Sequence, residues 1–270
     1  ASLLSWLYLL LARGFYWRTS ISLATHVTKQ SRKWPSVSTI VPARDEAAVL
    51  AKTLPTLLTQ EYHGQLRVYL VDDQSSDSTA SVAHRLAERS GSPGMLKVID
   101  GSPLPSGWAG KVWAMEQGVR AAGRHRPDYL WFTDADIAHH PQILQALVLK
   151  AESDNAPLVS LAAQLHCRGF WERLLVPAFI YFFAKLFPFR WVNDSHNPTA
   201  AAAGGCMLVH RKSLELASGL ANIADSIIDD CALASLIKGR RRDTKICLGL
   251  SHDVMSVRPY SGLWPLWGMV

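Results

Sequence analysis

From residue 37 onward, short runs of β-branched and aromatic residues alternate with segments whose apolar positions recur at helical spacing. Residues 37–41 (VSTIV), 66–71 (LRVYLV), 96–99 (LKVI), 129–133 (YLWFT) and 158–161 (LVSL) read as strands. Between them, the Leu50, Leu54, Leu57, Leu58 pattern and residues 77–89, 111–122 and 141–150 read as helices. Such alternation demands right-handed crossovers. The expected fold is therefore α/β, a mainly parallel sheet of Rossmann-like type with helices on both faces.

Ligands of such sheets collect at the carboxyl ends of the strands, where the loops converge. Two acidic pairs stand there, Asp72-Asp73 after the second strand and Thr133-Asp-Ala-Asp136 after the fourth. Asp134 and Asp136 could share one hard divalent cation, Mg²⁺ or Mn²⁺, which takes a few carboxylates and completes its shell with phosphate oxygens. Their plainer reading is as caps for the helix that follows. The loop Val71-Asp-Asp-Gln-Ser-Ser-Asp-Ser-Thr79 is rich in hydrogen-bonding side chains suited to the polar edge of a base or ribose, or to capping a helix near Asp77.

Pro105-Ser-Gly-Trp-Ala-Gly-Lys111 delivers Lys111 to the start of a helix, where the ammonium and backbone N–H groups could hold phosphate. It lacks the spacing of a P-loop. Asp229 and Asp230 precede another helical pattern, either as caps or with one of them as a general base. The small-residue run at 200–205 (AAAAGG) reads as a loop where backbone approaches a ligand closely. His139 and His140 are expected at the surface or at a helix start, and His252 could add a metal or phosphate ligand.

The chain has 270 residues, 49% of them hydrophobic, which is enough for one large core or two small ones. A net charge of +6 favours anionic partners without choosing among nucleic acid, phosphorylated small molecules and acidic membranes. Four cysteines without CxxC spacing indicate a reducing compartment. The apolar run at 1–12 is too short to cross a bilayer, but Arg13, Arg18, Lys29, Arg32 and Lys33 follow it as a basic flank. A membrane anchor is the first reading, and a docking helix the second. The apolar stretch 174–192 contains Pro177, Lys185 and Arg190, so it reads as an interfacial or buried helix rather than a spanning one. The aromatic segment 264–270 suggests that something hydrophobic continues there.

Several motifs occur in one order: Pro42-Ala-Arg-Asp-Glu46, the Val71 loop, Gly107-Trp-Ala-Gly-Lys111, Thr133-Asp-Ala-Asp136, Gly204-Gly205-Cys-Met-Leu-Val-His-Arg211 and Ile228-Asp-Asp-Cys-Ala-Leu-Ala234. Together, across about 36–260, they resemble family 2 glycosyltransferases of GT-A fold, most of all hopene-associated glycosyltransferases, with ceramide glucosyltransferases as relatives. The resemblance implies an enzyme that moves a sugar, with inversion, from a nucleotide-sugar donor to a lipid-like acceptor. It implies a membrane and no nucleic acid as partners, and a catalytic domain on the cytoplasmic side. Residues 1–33 would be the membrane-proximal anchor, 34–260 the GT-A domain and 261–270 the start of a further hydrophobic segment.

By the same resemblance, Asp134 and Asp136 form the DxD that holds Mg²⁺ or Mn²⁺ against the diphosphate. Asp72 or Asp73 contacts the nucleoside; Pro42, Ala43 and Glu46 line that pocket; and Lys111 lies near the donor. Asp230 is the catalytic base, with Asp229 standing where the family carries glutamate. The Gln/Arg-x-x-Arg-Trp motif of processive members is missing, which argues against polysaccharide synthesis, and Arg258 stands in its place as a diphosphate contact. A phosphatase using the Asp-x-Asp is disfavoured by Ala138, and a sugar nucleotidylyltransferase by the absence of a Gly-rich N-terminal loop. A non-catalytic scaffold on the same fold is the remaining alternative.

Overall fold

The computed structural model describes residues 2–18, 33–91, 94–240, 243–260 and 262–268. Lys29 and Arg32 of the basic flank, and the last residues of the C-terminal aromatic segment, lie outside that range. α1 (Ser2–Leu7) runs into a π-helical turn at Tyr8–Ala12. β1 (Val37–Ala43), α2 (Ala47–Leu58), β2 (Leu66–Asp72), α3 (Thr79–Arg89), β3 (Leu96–Asp100), α4 (Gly110–Gly123) and β4 (Tyr129–Phe132) then alternate as the sequence pattern requires. Next come β5 (Ile137–His139), α5 (Ile143–Ser153), β6 (Leu158–Gln164), α6 (Phe170–Leu186), α7 (Phe189–Val192) and β7 (Met207–His210). α8 (Arg211–Leu216), α9 (Asp229–Lys238), β8 (Cys247–Ser256) and α10 (Leu263–Trp267) complete the chain.

Among the described residues, eight strands join one sheet in the order β3-β2-β1-β4-β7-β6-β8-β5. β1 pairs in parallel with β2 and β4, and β2 with β3. Beyond β4 the sheet becomes mixed: β7 is antiparallel to both β4 and β6, β6 and β8 are parallel, and β5 is antiparallel to β8. The central strand is buried on both faces, and its alternate residues feed two separate layers. Val37, Val41 and Ala43 pack with Leu50, Leu54 and Leu57 of α2 and Leu147 of α5, whereas Ile40 packs with Met115 of α4 and Leu233 of α9. Each such leucine contributes about 1.5–3 kcal/mol by leaving water. Close approach of α4 depends on Gly118, where a Cβ would stand 2.5 Å from Ile40 Cγ2.

α6 resolves the choice left open for the apolar stretch in favour of exposure. Glu172 and Val176 are its buried residues, while Phe170, Leu174, Phe182 and Leu186 are each more than half exposed. Among the described residues no helix is long and apolar enough to cross a membrane.

Candidate active site

The carboxyl ends of β1, β2 and β4 deliver their loops to one cleft of about 480 Å³. Pro42, Ala43 and Glu46 follow or end β1, Asp73 follows β2, Asp134 and Asp136 follow β4, Lys111 lies in the first turn of α4, and Arg258 comes just after β8. Eight of the ten residues nominated from sequence line this space. The two that do not are Asp72 and Asp230.

Asp72 turns aside because its Oδ1 accepts the Ser75 N–H at 3.0 Å, inside its own loop. Of the two, Asp73 is the one that lines the cleft. Much of the polar loop after β2 is likewise committed to protein. Asp45, at φ 55°, accepts the Ser76 N–H and hydroxyl through Oδ1. In return, Ser75 Oγ accepts the Asp45 N–H and Asp77 Oδ2 accepts the Ala47 N–H. Those side chains form a reciprocal clamp between two loops, and Asp73 lines the cleft beside them.

Asp229 and Asp230 open α9 behind the strand-end acids, and Lys111 bridges the two groups. Lys111 Nζ is 2.8 Å from Asp134 Oδ1 and 3.6 Å from Asp229 Oδ2. Burial works against its charge, but Asp134, Asp229 and Asp230 outweigh burial and hold its ammonium above the usual lysine range. Asp230 Oδ2 accepts the Gly204 N–H at 2.8 Å, and its Oδ1 accepts the Cys231 N–H at 2.6 Å. A Cβ on Gly204 would stand 3.0 Å from Lys111 Nζ and 3.4 Å from Asp230 Oδ2, so a glycine is what lets lysine, loop and acid converge. The backbone of the 200–205 run approaches these protein groups closely. Asp229 Oδ2 is buried without a hydrogen bond, and burial pushes its carboxyl up despite Lys111. From its far end α9 is held by Lys238, whose ammonium donates to the carbonyls of Trp191, Val192 and Thr199 at 3.2, 2.7 and 2.7 Å.

Arg258 closes the opposite wall. Its Nη2 lies 2.5 and 2.7 Å from the two Glu46 oxygens, and its Nε lies 3.2 Å from Asp136 Oδ2, which also accepts the Ser256 hydroxyl at 3.0 Å. Burial raises the Glu46 carboxyl, against the pull of Arg258. Burial also raises Asp73, opposed by Arg44, whose Nη1 is 3.8 Å from Asp73 Oδ2. Arg44 was not singled out from sequence, although it sits inside the Pro42–Glu46 motif; its place directly after a strand of the parallel half was the available signal.

Six carboxyl groups (Glu46, Asp73, Asp134, Asp136, Asp229 and Asp230) thus meet three cationic side chains (Arg44, Lys111 and Arg258). A site with that formal excess of negative charge accepts a diphosphate far better together with a divalent cation. The donor set is hard oxygen, which fits Mg²⁺ or Mn²⁺. Among the described residues no group of three or more His, Cys, Asp or Glu could hold a metal ion. An ion held here would take one or two carboxylates and its remaining ligands from phosphate and water.

The histidines divide differently from expectation. His139 is buried rather than at the surface: its Nε2 is 2.8 Å from Thr133 Oγ1, its ring packs edge-on against Trp131, and burial lowers it to about 3. Thr133 Oγ1 also donates to Gly205 O at 2.8 Å, so Thr133, with the buried His139 against it, fastens the end of β4 to the 200–205 run. His252 does not line the cleft; its Nδ1 is 3.5 Å from Gln164 Oε1. A larger hollow of about 880 Å³ opens where β4 begins and β7 ends. It includes none of the nominated residues, and its Asp154 is already paired with Lys150 and Lys245.

A β-monoglucosyldiacylglycerol synthase of Trichormus variabilis is 42% identical over 140 residues, covering 52% of this chain and 29% of that protein. An N-acetylglucosaminyltransferase of Mesorhizobium japonicum is 30% identical over 145 residues, 53% of this chain and 32% of its own length. The matched part thus spans about a third of these curated relatives. Among solved structures, the mannosyltransferase PcManGT of Pyrobaculum calidifontis, in complex with GDP-Man and Mn²⁺, superposes with a TM-score of 0.63 at 18% identity, over 96% of this chain and 69% of that one. S. aureus TarS 1-349, in complex with UDP-GlcNAc, gives 0.52 at 14% identity, over 84% and 60%. These two likenesses concern the fold, which is α/β of GT-A type. Residues 38–216 match the Glycosyl transferase family 2 domain, and the chain belongs to that family.

Proposed function

We propose that this chain catalyses metal-dependent, inverting transfer of a sugar from a nucleotide-sugar donor to a hydroxyl of a lipid acceptor. The observation that carries the reading is the pairing of two acid sites across Lys111, with Asp134 and Asp136 on the donor side and Asp229 and Asp230 behind it. Asp73, Pro42 and Ala43 would receive the nucleoside, and Asp134 and Asp136 would hold Mg²⁺ or Mn²⁺. When bound, the ion supplies electrostatic stabilisation to the departing diphosphate.

The chain's own residues would do the rest. Lys111 and Arg258, now tied to Asp134, Asp136 and Glu46, can turn their charge to the leaving phosphates as negative charge grows there. Asp230, anchored by two backbone N–H groups, keeps lone pairs for the acceptor hydroxyl and removes its proton as the oxygen attacks the anomeric carbon in line. Asp229 stays beside it as the charge partner of Lys111.

A lipid acceptor is supported by Ile227 and Ile228, 95% and 64% exposed on the loop leading into Asp229, and by the relative named as a synthase of β-monoglucosyldiacylglycerol. Within the lipid class, diacylglycerol and a hopanoid or isoprenoid alcohol are the candidates to compare. In this reading residues 34–260 form the catalytic unit on the cytoplasmic side of a membrane, with 1–33 and 261–270 beside the bilayer. The test incubates membranes containing the full-length protein with a panel of nucleotide sugars, Mg²⁺ or Mn²⁺, and each lipid. The reading predicts a glycolipid product that is lost with Asp136→Ala and with Asp230→Ala. If no nucleotide sugar is consumed, or both variants keep full activity, the reading fails.

A further inference from the structure

The outward side of α6 inverts the usual rule for a helix on a soluble domain, which turns polar residues to solvent. Phe170, Trp171, Leu174, Tyr181, Phe182 and Leu186 recur at helical spacing and are 74, 39, 54, 44, 56 and 59% exposed. Two other elements extend this apolar stripe. α10 packs against α6 and leaves Trp264 and Trp267 exposed. The N-terminal helix is pinned to the far end of α6, where Arg13 Nε donates to Lys185 O at 3.1 Å and the Tyr16 and Tyr181 hydroxyls meet at 2.6 Å.

Charge on this surface has one sign. Arg13 lies over Trp191, Arg18 over Phe15 and Trp17, Arg190 over Phe15, and Lys185 over Phe182. The one acid within α1, α6, α7, α10 and residues 13–18 is Glu172, which is buried. Basic groups stacked on aromatic rings beside an exposed apolar stripe are the chemistry of a headgroup region, apolar below and anionic above. A helix of 17 residues is about 25 Å long and does not span a bilayer, but it can lie along one.

The stripe is also joined to the cleft. Glu172, in the first turn of α6, accepts the Tyr260 N–H at 2.8 Å, two residues beyond Arg258. We infer that the α6 stripe, with α10 and the N-terminal helix, docks this chain flat on an anionic bilayer surface, with the cationic end at the headgroups and the Glu172 end beside the sugar-transfer cleft. The inference deepens the lipid-acceptor reading, because a lipid could then reach Asp230 by lateral diffusion.

The test is sedimentation of the full chain with vesicles of phosphatidylcholine alone and of phosphatidylcholine with about 30% phosphatidylglycerol. Binding to the anionic vesicles is expected to be at least about tenfold tighter, and Arg18→Glu with Arg190→Glu should remove about that tenfold. Phe182→Ser with Leu186→Ser should abolish binding to both, with an unchanged circular dichroism spectrum. The docking idea is overturned if the chain ignores both vesicles, or binds them equally and independently of Arg18 and Arg190. It is also overturned if sedimentation velocity finds a dimer that the Phe182 and Leu186 changes dissolve, since a second copy would then cover the stripe. Hydrolysis of the nucleotide sugar in detergent separates the two readings. Lost hydrolysis with intact vesicle selectivity removes the enzyme reading alone, and the converse removes the docking alone.

Discussion

The two acid pairs that Lys111 bridges, one in the cleft and one behind it, are built in opposite ways. Asp134 and Asp136 stand on a strand end, and a cationic side chain from another element reaches each of them, Lys111 for one and Arg258 for the other. Asp230 stands on a helix start and is fixed by backbone N–H groups, while its neighbour Asp229 keeps a buried oxygen without a hydrogen bond. Side-chain cations can move away when a ligand brings its own charge, but a backbone amide cannot. Asp134 and Asp136 can therefore exchange partners, whereas Asp230 is held in place.

That contrast breaks first on chemistry. Asp230→Asn should lower kcat by about 10²–10⁴-fold while donor affinity, followed by calorimetry with Mn²⁺, stays within about twofold. Equal loss of both would erase the distinction between the pairs. Asp136→Ala should do the reverse in kind: donor affinity falls together with kcat, the latter by about 10²-fold, and added Mn²⁺ recovers little.

The footing of the strand-end pair is open to a pH test through His139. Its folded value, near 3, lies below the ordinary value of 6.5, so above about pH 6.5 it costs nothing. As pH falls from there towards 3, the unfolded chain takes up a proton that the folded chain refuses, and stability is lost. At pH 5 the loss is about 2 kcal/mol. Urea midpoints at pH 7 and pH 5 should separate in the native chain and converge in His139→Phe. A smaller effect belongs to Gly204→Ala, which puts a methyl between Lys111 and Asp230 and should lower kcat about tenfold with little change in melting temperature. Arg44→Ala should be smallest, a change of about fivefold or less in donor affinity, because its ion pair with Asp73 is long and exposed on the arginine side.

How much of this could be read in advance follows the same divide. The strand-end acids were legible because alternation from β1 to β4 announces a parallel sheet, and a parallel sheet announces where its loops meet. Lys111 was legible as the residue a glycine-bearing loop delivers to a helix. The far half of the sheet was less so. β5 has three residues, and β8 joins the sheet by pairing with β6 and β5, contacts that no local period encodes. His139 is polar in composition and buried in fact, because its Thr133 partner becomes adjacent only when β5 folds back. The clamp made by the Ser- and Asp-rich loop was not legible for a related reason: its partners lie in the β1 to α2 loop, some 30 residues away in sequence.

Lys238 carries a consequence for the helix it belongs to. Its ammonium can leave water only when the carbonyls of Trp191, Val192 and Thr199 are already wrapped around it, and those lie 39–47 residues earlier in the chain. Closing that span is entropically costly before the contacts reward it. The seat of α9, the helix that carries Asp230, is thus tied through Lys238 to the connection after α7, so a change in that connection would be felt at Asp230 through the helix between them.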